Sequence, residues 1–201
     1  MKKIIYLITI TSIFIFGCKK STKSNDLNKG YSINKIEKTT VLKNSFVPDV
    51  KINNLELVNP NSILKSIGDL KEFVREEEGL PYAIFTNETK DTKLVLTLFP
   101  GSSINDVYQF KIEHVMEELK NVKVLPIKTF ISENGIRLGM SKEELIKIKG
   151  NTYLVKDNYL EYRVSGNKEF LNKYNMPSYF ARYFFSKDKN INKIEFGFKY
   201  P

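Results

Sequence analysis

The chain has 201 residues, with 32 Lys and Arg against 23 Asp and Glu, a formal net charge of +9. It holds one cysteine, Cys18, and one histidine, His114, which excludes an intramolecular disulfide, a paired-cysteine zinc site and a multi-histidine metal centre. The charge is a weak guide to partners, because residues 31–201 carry 26 basic and 22 acidic side chains, a net +4. That balance shows no obvious nucleic-acid-binding stripe, so no nucleic-acid partner is expected, and the high Lys, Asn and Ile content reflects coding bias more than function.

Taken in chain order, residues 1–18 come first: two lysines, an apolar run from Ile4 to Gly17, then Cys18. The run is 14 residues with two threonines and a serine inside, short of the roughly 20 that a membrane-spanning helix needs. A basic start, an apolar segment and a small residue before the cut describe a secretory signal over residues 1–17. With a cysteine next, the segment resembles a bacterial lipoprotein signal. The resemblance implies cleavage after Gly17 and lipidation of Cys18, hence a membrane as one partner. It also implies an outer-membrane address, since Lys19 stands where an aspartate would favour retention in the inner membrane.

Residues 18–45 are rich in Lys, Asn, Ser and Thr, and such a segment buries too little apolar surface to offset its ordering entropy. They are expected to form a flexible tether. Residues 18–30 hold four lysines against Asp26; these either add attraction to anionic headgroups or only keep the tether solvated.

From Phe46 the apolar residues become periodic, and two α+β units are expected, at 46–120 and 121–201. In the first, Asn59 is placed to cap a helix with Pro60 at its first position, Val58 facing Ile63 and Gly68 closing it. In the second, Ser141 and Glu144 form a capping box, Met140 staples onto Leu145 and Gly150 is expected to end the helix in the left-handed conformation it tolerates. Cap to glycine is nine residues in both, which suits either an internal duplication or two unrelated capped helices. Strands are expected at 82–85, 93–99 and 107–115 after the first helix, and at 153–155 with 159–164, 179–185 and 191–200 after the second. A further helix is expected near Glu169–Tyr174. The alternation of Leu160, Tyr162 and Val164 against Tyr159, Glu161 and Arg163 predicts an antiparallel sheet covered on one face. The fold class is therefore α+β, short helices packed on antiparallel sheet.

The stretch Leu138-Gly139-Met140-Ser141 with Glu144, then Gly150 and strands ending at Pro201, resembles the small outer-membrane lipoproteins of the SmpA/OmlA type. It is also similar to the wider group sharing the β-lactamase-inhibitor-protein fold. The resemblance implies a helix start packed on a three-stranded antiparallel sheet, repeated in tandem in the inhibitor protein. It implies that a sheet face or loops bind other proteins, and brings no catalytic residues.

Little in the chain suits catalysis, and no cofactor is expected. His114 shares the phase of Phe110 and Ile112 and is expected to be a partly buried structural residue; the competing reading is a hydrolase using it with Ser102 or Ser103. Glu76-Glu77-Glu78 reads as a solvated helix end, or as a cation site. Asp49, Glu56 and Asp69 are scattered. The aromatic run 179–185 says more. Tyr179, Ala181, Tyr183 and Phe185 share one face; Phe180, Arg182 and Phe184 share the other. Aromatic residues and arginine are enriched where proteins bind proteins. Tyr159, Arg163, Phe180, Arg182 and Phe184 are therefore the candidate binding surface, unless the Gly166–Ser178 loop or the first half covers them. A small-ligand or inhibitor reading instead predicts a concave pocket lined by several of Tyr153, Tyr162, Tyr183 and Phe198.

Overall fold

The fold is built from two short capped helices, each leading into a meander of strands, and all the longer strands share one sheet. It is known from a computed structural model that describes residues 46–101, 104–166 and 168–199. The signal segment, Cys18 and the tether lie outside the described residues, as do Ser102, Ser103, Tyr200 and Pro201.

The chain enters as an extended strap, Phe46–Val50, followed by a two-stranded ribbon of β1 (Lys51–Ile52) and β2 (Leu55–Glu56). Helix α1 (Pro60–Ser66) starts as the sequence predicts: the Asn59 side chain accepts from the Ser62 N–H and Pro60 occupies the first turn. A single 3-10 turn over Leu70–Glu72 then leads to β3 (Val74–Glu77), β4 (Leu80–Thr86), β5 (Thr92–Leu98) and β6 (Val107–His114).

After β7 (Lys123–Val124), helix α2 (Lys142–Lys149) carries the full capping box, with Ser141 and Glu144 each bonding the other's backbone N–H. Then come β8 (Leu154–Val155), β9 (Tyr159–Ser165), α3 (Glu169–Tyr174), β10 (Ser178–Phe185) and β11 (Ile191–Phe198).

The sheet order is β3-β4-β5-β6-β11-β10-β9-β8, antiparallel throughout this path, with β7 adding parallel to β4. The two meanders therefore meet through their last strands, β6 and β11, where Phe110 pairs with Phe196. The protein is α+β with a mainly antiparallel sheet and few short helices. Each half also carries a fourth, short strand at the sheet edge, β3 or β8.

One face of the sheet is the core. Leu96, Phe110, Phe196, Ala181 and Tyr162 lie across it, and Ile63 of α1, Leu145 of α2 and Leu171 of α3 join the same buried cluster. Each such side chain contributes about 1.5–3 kcal/mol on burial, which explains why helices as short as six to eight residues hold although they would be marginal alone. Phe170 of α3 packs edge-on to Tyr179 (5.4 Å between centroids) and stacks on Phe198 (5.8 Å). The Gly166–Ser178 segment thus serves the core face.

Three expectations need correction. Glu76 and Glu77 lie in an edge strand, and Glu78 with Gly79 forms a two-residue hairpin turn, both at positive φ (52° and 77°). Such a turn matches the twist of the strands it joins, and the charges keep the edge solvated. His114 is exposed, because it is the last residue of β6, beyond the part of the strand that the core covers. Gly150 has positive φ (78°) but ψ near 180°, so it ends α2 by turning extended and not in a left-handed helical turn.

Candidate functional site

The uncovered face of the sheet is laid out in rows by the strand register. Lys93, Glu113, Lys193, Phe184 and Tyr159 form one row across β5, β6, β11, β10 and β9. Val95, Lys111, Glu195, Arg182 and Glu161 form the next, and Thr97, Gln109, Gly197, Phe180 and Arg163 the third. Ile63, Leu70, Leu145 and Leu171, from the three helices and the 3-10 turn, belong to the buried cluster on the opposite face.

All five predicted surface residues fall together at the β9–β10 end of these rows, around Glu161. The Glu161 side chain is wholly buried, while those of Arg163 and Arg182 are 45% and 32% exposed. Arg182 Nε donates to Glu161 Oε2 at 2.8 Å, and Arg163 Nε donates to Oε1. A carboxylate that accepts two guanidinium donors is satisfied despite burial. The Arg182 guanidinium lies 4.7 Å from the Phe180 ring and 5.9 Å from that of Tyr159, a cation–π arrangement that holds it flat. Tyr159 and Phe184 pack at 4.7 Å, and Lys193 Nζ sits 3.7 Å from the Phe184 ring. Phe180 is itself buried, so it supports the patch from beneath and presents little surface.

Farther along the face, Glu195 receives Lys193 at 3.1 Å and Glu113 receives Lys93 at 3.1 Å and Lys111 at 3.4 Å. Burial pushes the Glu113 carboxyl up, but the hydrogen bond from Lys93 and the charges of both lysines outweigh it and hold it below the usual carboxylate range. Gly197 is required here. A Cβ at this position would lie 2.3 Å from the Tyr108 carbonyl oxygen and 2.7 Å from Gln109 Cα, where an irregular register between β5 and β6 brings that backbone close.

A second charged cluster lies beneath the same strands, on the core face. Lys149 Nζ and Asp49 Oδ2 are 2.5 Å apart with both side chains fully buried. Asp49 Oδ1 accepts from the Asn134 backbone (3.2 Å) and side chain (2.7 Å), and Oδ2 from the Tyr183 hydroxyl (3.2 Å). The Tyr179 hydroxyl donates to the Asp49 carbonyl at 2.7 Å. Burial pushes the Lys149 ammonium down, and the Asp49 carboxylate opposes this in part. Burial likewise pushes the Tyr179 and Tyr183 hydroxyls well up, with the Asp49 charge adding to it. Together with Phe46 stacked on Tyr162 at 4.8 Å and the Val47 carbonyl held by Lys149 at 2.8 Å, this cluster fastens the strap that follows the expected tether.

The other readings fare differently. Tyr162, Tyr183 and Phe198 are fully buried, so they form packed core and cannot wall an open pocket. A half-open cleft of about 1110 Å³ is lined by residues such as Lys51, Asn53, Lys65, Pro126 and Lys128, none of them predicted. His114 borders a cleft of about 200 Å³ with Asp91, Thr92 and Lys128. Among the described residues no cluster of three or more metal-ligating side chains occurs, and no helix is long and apolar enough to cross a membrane.

Sequence reading placed Glu161 on the correct face but missed it as the centre of the patch, as it missed Lys193 and Glu195. The alternation in β9 and β10 was the available signal; pairing of the two strands was not. Asp49 and Lys149 carry no such signal, being 100 residues apart. Compared with protein-family models, curated proteins and solved structures, the chain matches none of them.

Proposed function

We propose that this chain is a bacterial lipoprotein, anchored through Cys18, that acts without catalysis by holding a protein-binding surface at a membrane. The observation that carries the reading is the convergence of Tyr159, Arg163, Arg182 and Phe184 on one uncovered sheet face around buried Glu161. Rigid aromatic and arginine groups set in a firm sheet are the usual anchors of protein interfaces. In the same reading the anchor is in the outer membrane, the folded part faces the periplasm, the partner is an envelope protein, and nucleic acid plays no part.

The halves are read as tandem units of the kind found in the β-lactamase-inhibitor-protein fold and related to the SmpA/OmlA lipoproteins. The strand order supports this, since β3–β6 and β8–β11 run in mirror order from the edges to the centre. The capping residues Asn59 and Ser141, the buried Ile63 and Leu145, and the closing Gly68 and Gly150 keep the same spacing. Burial of Tyr162, Tyr183 and Phe198 speaks against the small-ligand alternative; the hydrolase alternative pairs the exposed His114 with Ser102 or Ser103, which lie outside the described residues.

The test is photocrosslinking in intact envelopes, with the crosslinker at Phe184 or Tyr159. One stoichiometric protein adduct is expected, lost when the crosslinker is moved to Glu88, an exposed turn residue. Cys18→Ala should abolish fatty-acid labelling and release the chain from membranes. Repeated absence of any protein adduct would overturn the binding reading.

A further inference from the structure

We infer that the partner surface received by the β9–β10 patch is an acidic protein segment, whose Asp or Glu side chains meet the guanidinium groups of Arg163 and Arg182. This rests on the protein-binding reading above and adds the chemistry of the partner.

The argument begins with depth. At the β9–β11 end of the uncovered face each carboxylate lies lower than the cations that serve it, whereas Glu113 farther along is as exposed as Lys93, 23% each. The side chains of Glu161 and Glu195 are 0% and 13% exposed, against 45%, 32% and 30% for Arg163, Arg182 and Lys193. An approaching molecule therefore meets cations first, and the anions act as buried counter-charges that fix them. Across β5, β6, β11, β10 and β9 the face holds five cations (Lys93, Lys111, Arg163, Arg182, Lys193) and three carboxylates (Glu113, Glu161, Glu195), a net +2. Complementarity calls for an anionic ligand.

Geometry then favours discrete carboxylates over a charged lipid surface. A membrane responds to the summed charge of a face, and alternating signs cut that sum to +2 over five strands. Two guanidinium groups held on either side of one carboxylate offer something else, a fixed planar fork. Arginine pairs with carboxylates bidentately, and a guanidinium already held in place loses little freedom on binding. Glu161 orients both groups by their Nε donors, and the Phe180 ring backs Arg182. Beside them the half-buried Tyr159–Phe184 pair provides apolar surface for a neighbouring side chain of the same segment. Lipid headgroups would use the charges but not this adjacent ring pair.

The experiment titrates a hexaglutamate peptide into the full chain at low and moderate salt, followed by fluorescence anisotropy. Phosphatidylglycerol-containing vesicles are tested in parallel against the full chain carrying Cys18→Ala, so that the anchor does not mask binding. Saturable peptide binding is expected, weakened at least tenfold by Arg163→Ala and no more than about twofold by Lys93→Ala at the far end of the same face. Arg163→Lys should restore only part of it, since charge returns without the fork. Vesicle binding should be weak and indifferent to Arg163→Ala.

Failure of the peptide to bind, or equal losses from Arg163→Ala and Lys93→Ala, would overturn the acidic-segment inference. So would vesicle binding that depends on Arg163 when peptide binding does not. If the Phe184 crosslink to a protein persists in that case, the protein-binding reading stands without its acidic chemistry. If crosslink and peptide binding both fail, both readings fall.

Discussion

Strands β9 and β10 carry a charged cluster on each face, and the two are opposites in design. On the core face Asp49 and Lys149 are fully buried, and Asp49 accepts four hydrogen bonds to its carboxylate, from Lys149, Tyr183 and both nitrogens of Asn134. On the outer face Glu161 is equally buried, but its partners Arg163 and Arg182 reach solvent. The first cluster is closed, with its charge spent on fastening the strap to the sheet. The second is half open, so its cations remain available to another molecule. Exposure of the partner, and not burial of the carboxylate, is what separates the two clusters.

The sharpest way to break this contrast is to remove one member of the closed cluster. Asp49→Ala leaves the Lys149 ammonium buried without its counter-charge and should lower the unfolding free energy by about 3–5 kcal/mol, measured by urea denaturation. Adding Lys149→Met to it should recover part of the loss. A double variant as unstable as the sum of the two single ones would mean that the pair is not a closed unit.

Alkali probes the same cluster. Tyr179 and Tyr183 hold their protons well above the ordinary tyrosine value in the folded protein. Their stabilising contribution is complete below about pH 10, the unfolded pKa, and is lost as pH rises beyond it by roughly 1 kcal/mol per tyrosine per unit. The lowered Lys149 ammonium acts in the opposite sense, since the unfolded chain binds that proton more tightly and its penalty fades as pH approaches about 10.5. Two tyrosines outweigh one lysine, so unfolding and tyrosinate absorbance should rise together above pH 10. Tyrosinate signal from both residues in a still-folded chain would contradict their burial.

On the outer face the effects are smaller. Gly197→Ala drives a methyl into the Tyr108 carbonyl and the Gln109 backbone and should cost about 1–3 kcal/mol, read from the thermal midpoint. Arg182→Ala removes one of the two donors of Glu161 and should cost about 1 kcal/mol, allowing for its solvent exposure. Arg163→Ala should cost no more than about 0.5 kcal/mol while weakening acidic-peptide binding. Equal stability losses from Asp49→Ala and Arg163→Ala would erase the distinction between the two clusters.

Local rules made much of the fold legible. The caps at Asn59 and Ser141 rest on side-chain bonds reaching only three residues ahead, and the strands of the second half alternate with one apolar face. The short helix at Glu169–Tyr174 falls where the sequence places it. Edge strands were harder: Val74–Glu77 carries Arg75, Glu76 and Glu77 in succession, without the alternation that marks a half-buried strand. His114 was misplaced for a related reason, because period-two phase continues in the sequence past the point where the core ends. Within the patch, Tyr159, Arg163, Arg182 and Phe184 were readable from alternation and residue type, whereas the central place of Glu161 depended on which strand lay beside β9.

The sequence by itself determined the elements, their apolar faces and the residue types available for binding, because capping and alternation act over a few neighbouring residues. Only the tertiary structure decided that β6 and β11 join the two meanders, that Asp49 meets Lys149 across 100 positions, and that Glu161 lies beneath two arginines. Those outcomes depend on strand register and on which groups lose water together. Neither is encoded at any one place in the chain.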